Sequence, residues 1–401
     1  MNTLKKYQWS ILLMFFIVTA QLLFSQFYQN DKTTIAIRFV KLIETNHDFS
    51  GKGMLCLDFD GHIHEKNSWA EEPPVFHFVG VLLSKIMPQA FFIKFYPVFL
   101  SSFIVFGILM LGGVYFPKLY EKNTWAFVLL IAYTPIINIH FAKFVPDLLS
   151  FALMIWSIYF YEKKMPTWSW LFALFSVTTK ALAIIGFFFY FLGKLLSNEE
   201  NLKLSKRIIK YSFWGLTLIP SLYWFWIIKK NNWDSPFFQT SINFNQHTGG
   251  TDFKKALTLH YWARYITFVI TRGVSWPVFF ITSFEIFQGL RLKNLNKMDK
   301  SFLIFLAGSP LYWLLIRAQS SDPWKSFYLI LPFLYFAFRF LERQKSRIVI
   351  IFSLIVFLTS VTLVKYSIDT TKNFTATDKN LDVMLACDYF EATKRMNDKK
   401  H

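Results

Sequence analysis

The chain has 401 residues, 54% of them hydrophobic, with 49 Phe, 14 Trp and a formal charge of +18. That apolar fraction excludes an ordinary soluble domain, and two cysteines exclude a disulfide scaffold or a cysteine-built zinc site. The basic residues fall in short clusters between apolar runs, the pattern of cytoplasmic loops in membrane proteins. The charge therefore reads as topology, and nucleic acid is excluded as a partner.

Lys5 and Lys6 precede the first apolar run, Trp9 to Phe27, which has no small-residue cleavage site. It is expected to stay as an anchor with the N-terminus in the cytoplasm. The first outer loop, 28–72, then carries Asp31, Glu71 and Glu72. Within it Thr33 to Thr45 interleaves apolar and charged residues as a surface-lying helix does, and Gly51 to Gly61 reads as irregular loop. Pro73-Pro74 opens a short helix over Val75 to Ile86, because proline suits a first helical turn.

Spans are expected over Ala90–Phe116, Thr124–Phe141 and Leu148–Tyr161, with Asp147 in the outer turn between the last two. The stretch from Trp168 to Leu196 is basic on both flanks, so a single crossing would violate the charge rule. It reads as a hairpin broken at Thr178-Thr179-Lys180, with Lys180 at the outer tip. Tyr211–Ile228 goes out to a second large outer loop, 229–265, holding His247, His260 and Arg264. Ile266–Leu290, Phe302–Ile316, Ser326–Phe338 and Ile348–Val364 complete the set, with Arg317 and Lys325 in the last outer turn. The expected fold class is an all-α polytopic membrane protein of about 11 transmembrane helices. Residues 1–364 would form one domain and 365–401 a polar outer tail.

This topology gathers Asp31, Glu71, Glu72, Asp147, Lys180, Arg264, Arg317 and Lys325 at the outer boundary. Carboxylates there can take a proton from a hydroxyl or amine, and lysine or arginine can neutralise a departing phosphate. A divalent metal suits the acids but is not required by them. The inner loops show Lys and Arg without a matching acid cluster. The plainer roles are a helix cap for Asp147, a dipole partner for one of Glu71 and Glu72, and snorkelling to headgroups for Lys180, Arg317 and Lys325. His62, His64, His247 and His260 read as ordinary loop residues, and Cys56 and Cys387, both expected outside, as free thiols or one disulfide.

Asp31-Lys32-Thr33-Thr34 followed by Glu71-Glu72-Pro73-Pro74-Val75-Phe76-His77 resembles the first outer loop of the polyprenyl-phosphate-dependent membrane glycosyltransferases of the GT-C superfamily. The likeness is greatest to family 39, the protein O-mannosyltransferases and the lipid A aminoarabinose transferase. Val145-Pro146-Asp147-Leu148, Thr178-Thr179-Lys180-Ala181 and Lys325-Ser326-Phe327-Tyr328 follow in the family's order. The chain departs from the pattern at Lys32, where the family has a second acid, and at Ala181-Leu182, where it has Gly-Pro. The resemblance implies an integral cell-membrane enzyme (inner membrane in a Gram-negative host) moving a sugar from a polyprenyl-phosphate donor to a lipid, glycan or protein acceptor. Asp31 would be the base and Asp147 its supporting acid. Lys180 and Lys325 would lie by the lipid phosphate, with Glu71, Glu72, Arg264 and Arg317 as further substrate-binding candidates. The competing classes are a secondary transporter of an anionic or lipid-linked substrate and a non-catalytic envelope scaffold.

Overall fold

The computed structural model describes residues 73–140, 146–198, 201–233, 258–315 and 330–375, with 40, 43–44, 47–50, 52, 54–57, 63–66 and 328. All the described elements are helical except a short antiparallel hairpin, β1 (Met54–Leu57) and β2 (Ile63–Lys66), paired Met54 to Lys66 and Leu57 to Ile63. The hairpin corrects the reading of Gly51 to Gly61 as irregular loop. Asp60-Gly61, a dipeptide that suits tight turns, lies in the five residues joining its strands.

The helices are α1 (Val75–Ile86), α2 (Gln89–Tyr115), α3 (Pro117–Ala132), α4 (Pro135–His140), α5 (Pro146–Glu162), α6 (Pro166–Thr179) and α7 (Ala183–Ser197). They continue with α8 (Leu204–Ser212), a 3-10 segment (Phe213–Leu218), α9 (Ile219–Lys230), α10 (Leu259–Phe268), a π segment (Val269–Gly273), α11 (Trp276–Arg291), α12 (Lys297–Leu315), α13 (Ile330–Glu342) and α14 (Ser346–Thr375). Proline supplies much of the punctuation. It opens α3, α4, α5 and α6, where a missing N–H costs nothing, and disfavours helix in the residue before it.

Helix α1 occupies the expected residues. The expected span Thr124–Phe141 is cut at Tyr133-Thr134 ahead of Pro135, and the helix containing it has a kink at Asn123. A second correction falls on Ile266–Leu290, read as one span. Its helix loosens into the π segment, Ser275 takes φ 78°, and α11 leaves at 114° to the helix before it. Helix α14 runs on through 365–375, into the segment read as polar tail.

Helix α5 is buried along most of its length. Helix α6 lies antiparallel to it, held by two reciprocal serine pairs. Ser150 Oγ donates to the Ser176 carbonyl at 2.9 Å, and Ser176 Oγ to the Ser150 carbonyl at 2.8 Å. Two turns along, Ser157 and Ser169 repeat the exchange at 2.7 and 2.6 Å. Small residues allow this approach of backbones, and each hydroxyl finds its acceptor inside the apolar packing. On the other side, α2 meets α5 at Gly107, where a Cβ would collide with Ile155, and Trp156 Nε1 donates to the Phe103 carbonyl at 3.1 Å.

Helix α7 packs antiparallel on α12, with Gly193 against the Ser301 carbonyl and Gly308 against the Phe189 ring. A Cβ at Gly193 would overlap backbone, which cannot swing aside as a side chain can. Gly193→Ala is expected to destabilise the protein by about 1–3 kcal/mol, the usual cost of overpacking. Gly215, with open space around it, is the control. Thermal melts in detergent should show a lowered midpoint for Gly193→Ala and little change for Gly215→Ala.

No single helix over the searched, described residues is long and apolar enough to cross a membrane. The bent pair Tyr265–Thr271 and Trp276–Arg291 meets that test when joined, and Val75–Ile86, Phe99–Tyr115, Ala183–Ser197 and Ser346–Ser360 are shorter apolar helices.

Candidate functional site

The site begins where α6 ends. Thr178 and Thr179 turn their hydroxyls back onto the Leu174 and Phe175 carbonyls, at 2.7 Å each. Such bonds compete with helix continuation. Lys180 then adopts extended φ/ψ of −150° and 117°, and α7 restarts at Ala183. The break at Thr178-Thr179-Lys180 expected from the sequence is therefore present, and the two arms run antiparallel.

At this break Lys180 Nζ stands 3.5 Å from Asp147 Oδ2, in the first turn of α5. The position places the Asp147 side chain at a helix N-terminus and beside an ammonium. Both residues are buried, Asp147 at 4% exposure and Lys180 at 8%. Asp147 Oδ1 has no hydrogen-bond partner among the described residues. A buried carboxylate with one oxygen committed to a lysine and the other uncommitted can accept a proton or orient a hydroxyl.

The floor beneath the pair is polar and ordered. Ser150 is one turn below Asp147, and it accepts a hydrogen bond from Tyr328 OH at 3.2 Å. Tyr328 itself is fully buried, packed edge-on against Phe151 and close to Gly186 of α7. Ser221 of α9 donates to the carbonyl of Val177, three residues before Lys180, at 3.0 Å.

Of the sequence candidates, the structure brings Asp147 and Lys180 together. Arg264 is placed by its backbone alone, on α10. Asp31, Glu71, Glu72, Arg317 and Lys325 lie outside the described residues, as do His62, His247 and Cys387. Cys56 and His64 are placed by backbone only, facing each other as partners in the hairpin register. Among the described residues no three His, Cys, Asp or Glu side chains come together as a metal site would need.

The opposite end of the bundle holds what the sequence reading missed. About 22 Å along α5 from Asp147, at the 1.5 Å helical rise, Glu162 receives Lys194 Nζ at 2.6 Å and Tyr115 OH at 2.7 Å, together with Tyr190 OH. Lys194 Nζ also meets Met298 Sδ at 3.2 Å. Beside this lies a second group, in which fully buried Glu285 pairs with Arg339 and Arg343, and Arg339 Nε reaches Asp299 Oδ1 at 2.9 Å. Tyr335 OH donates to the same Asp299 oxygen at 3.0 Å. Asp299 Oδ2 caps α12 through the Asn296 N–H, at 2.7 Å, while Asn296 Oδ1 accepts from the Asp299 N–H. These acids correct the reading of that end as basic without matching carboxylates. A lone Glu285 within an apolar run was the available signal, since an unpaired charge there is costly.

Comparison with protein-family models, with curated proteins and with solved structures found no match in any of the three.

Proposed function

We propose that this chain is a polytopic membrane glycosyltransferase that moves a sugar from a polyprenyl-phosphate donor to an acceptor at the outer membrane face. The observation that carries the reading is the buried Asp147–Lys180 pair at a helix break, with Asp147 Oδ1 uncommitted. In the reaction Lys180 would offset charge on the departing lipid phosphate, while Asp31 takes the acceptor proton and Asp147 supports it. The anomeric carbon would gain the acceptor oxygen or nitrogen as its bond to the phosphate oxygen breaks.

A membrane setting is supported by the distribution of apolar side chains. Phe188 on α7, Leu222 on α9, Phe280 and Phe287 on α11 and Leu358 on α14 are each more than half exposed. Meanwhile several charges are turned inward and paired, an arrangement suited to an apolar solvent. Helix α2 has 27 residues and α14 has 30, about 40 and 45 Å of helix, enough backbone for a bilayer core.

Purified protein incubated with radiolabelled polyprenyl-phosphate sugar and acceptor extract tests the proposal. Product formation supports the transferase; vesicle flux of the intact substrate supports a transporter in its place, and neither result leaves a scaffold. Asp31→Asn is expected to abolish product while expression and membrane insertion are kept, and unchanged turnover would remove the proposed base.

A further inference from the structure

Helix α8 is the most unusual surface element. It has no buried residue, yet it is strongly two-sided. At 100° per residue, Leu204, Ile208 and Ile209 share one arc and Lys206, Arg207 and Lys210 the opposite one. The apolar arc faces away from the protein, with Leu204 at 56%, Ile208 at 47% and Ile209 at 72% exposure.

Its attachment to the bundle runs along one seam. Tyr211 meets Tyr161 OH at 3.2 Å, Lys210 Nζ stands 5.4 Å from the Tyr161 ring centre, and Arg207 donates to the Leu195 carbonyl. The seam puts α8 at the Glu162 end of α5, beside exposed Lys163 and Lys164 in the turn after that helix. Lys297 joins them there, bonded to the Asn198 carbonyl at 3.1 Å. Glu199 and Glu200 are the nearest acids in sequence and lie outside the described residues.

An outward apolar arc bordered by lysines matches one kind of surface, the boundary between acyl chains and anionic headgroups. We infer that α8 lies flat in the inner-leaflet interface, inserts Leu204, Ile208 and Ile209 among acyl chains, and holds anionic phospholipid headgroups with Lys203 and Lys206. The inference rests on the membrane reading above, and adds a lipid preference and an element that fixes the depth of the hairpin α6–α7.

The test uses full-length protein carrying Cys56→Ser and Cys387→Ser, reconstituted in vesicles of equal parts phosphatidylcholine and phosphatidylglycerol. A polarity-sensitive fluorophore is placed at Ile209→Cys, at Lys206→Cys or, as control, at Phe188→Cys on α7. Quenchers are carried on the acyl chain of one lipid or the other. The expected result is an apolar signal at 209, a watery one at 206, and stronger quenching at 209 from phosphatidylglycerol. Removing each of Lys203 and Lys206 as glutamine should reduce that preference by about five-fold, the weight of one basic residue at an anionic surface. A watery probe at 209 with an apolar one at 188 overturns the α8 inference and leaves the membrane reading standing. Watery probes at both positions overturn the two together. Equal quenching by both lipids overturns the headgroup preference, and a signal at 209 that grows with protein concentration in lipid-free detergent assigns the face to a second copy instead.

Discussion

Glu285→Ala is expected to lower stability by about 3–5 kcal/mol, the cost of leaving a buried charge without its partner. Glu285 is fully buried and receives two guanidinium groups, from Arg339 and Arg343. The two arginines and the two acids Glu285 and Asp299 balance in charge, so removing one acid leaves a net positive charge in the packing. Arg343 can turn to solvent, its side chain being 46% exposed, but Arg339, at 14%, cannot do so without breaking its bond to Asp299. Arg343→Ala should therefore cost less than Glu285→Ala, since the arginine it removes is half hydrated and Glu285 keeps Arg339. Pairing Glu285→Leu with Arg339→Leu should recover only part of the loss, because Asp299, also fully buried, then loses its guanidinium. Asp299 keeps Tyr335 and the Asn296 N–H in that variant. Thermal melts of the four proteins in one detergent measure this. A Glu285→Ala midpoint equal to that of Arg343→Ala would show that the carboxylate is a bystander.

The contrast between Glu285 and Lys180 shows which parts of this molecule can be read from sequence. Lys180 was legible because a polar triplet interrupts an apolar stretch with basic residues at both ends, and only a reversal of direction satisfies that charge pattern. The helix start after Pro74 was legible because proline suits a first helical turn, whereas the helices opening at Pro117, Pro146 and Pro166 begin ahead of the spans expected from Thr124, Leu148 and Trp168. Breaks inside other apolar runs were missed. Ile266 to Leu290 was read as one span although Thr271-Arg272-Gly273 and Ser275-Trp276-Pro277 interrupt it, and the bend falls at those residues.

Partners across the bundle are the second thing a linear reading loses. Ser150, Ser157, Ser169 and Ser176 recur at seven-residue spacing on two neighbouring helices, a pattern meaningful only once α5 and α6 face each other. Glu162 was hidden for a different reason. It stands directly before Lys163 and Lys164, where nothing in the linear sequence sets it apart from them, whereas the last turn of α5 brings it onto Lys194 and Tyr190. Arg339 follows the expected span Ser326–Phe338 directly and read as one of the basic residues after it, whereas it lies within α13 and pairs with Glu285 and Asp299.

The Asp147–Lys180 pair admits a sharper test than either single substitution, because a buried ion pair can serve packing or chemistry. Asp147→Asn should remove the carboxylate that stands 3.5 Å from Lys180 Nζ, and Lys180→Met should strand the carboxylate. Each is expected to destabilise by about 3–5 kcal/mol and to slow transfer. Loss of rate in the single variants is thus ambiguous. Asp147→Leu combined with Lys180→Met removes both charges and should melt near the parent protein, since neither group is left unpaired. If the pair serves only packing, that double variant also regains its rate. On the glycosyltransferase reading it stays about 100-fold to 1000-fold slower, the scale seen when one electrostatic contact to a transition state is lost. The deficit should fall in kcat, with KM little changed, because charge on the departing phosphate grows only as the bond to the sugar breaks. A stable double variant with full turnover would reduce Asp147 and Lys180 to a structural clasp and would move the chemistry elsewhere in the chain.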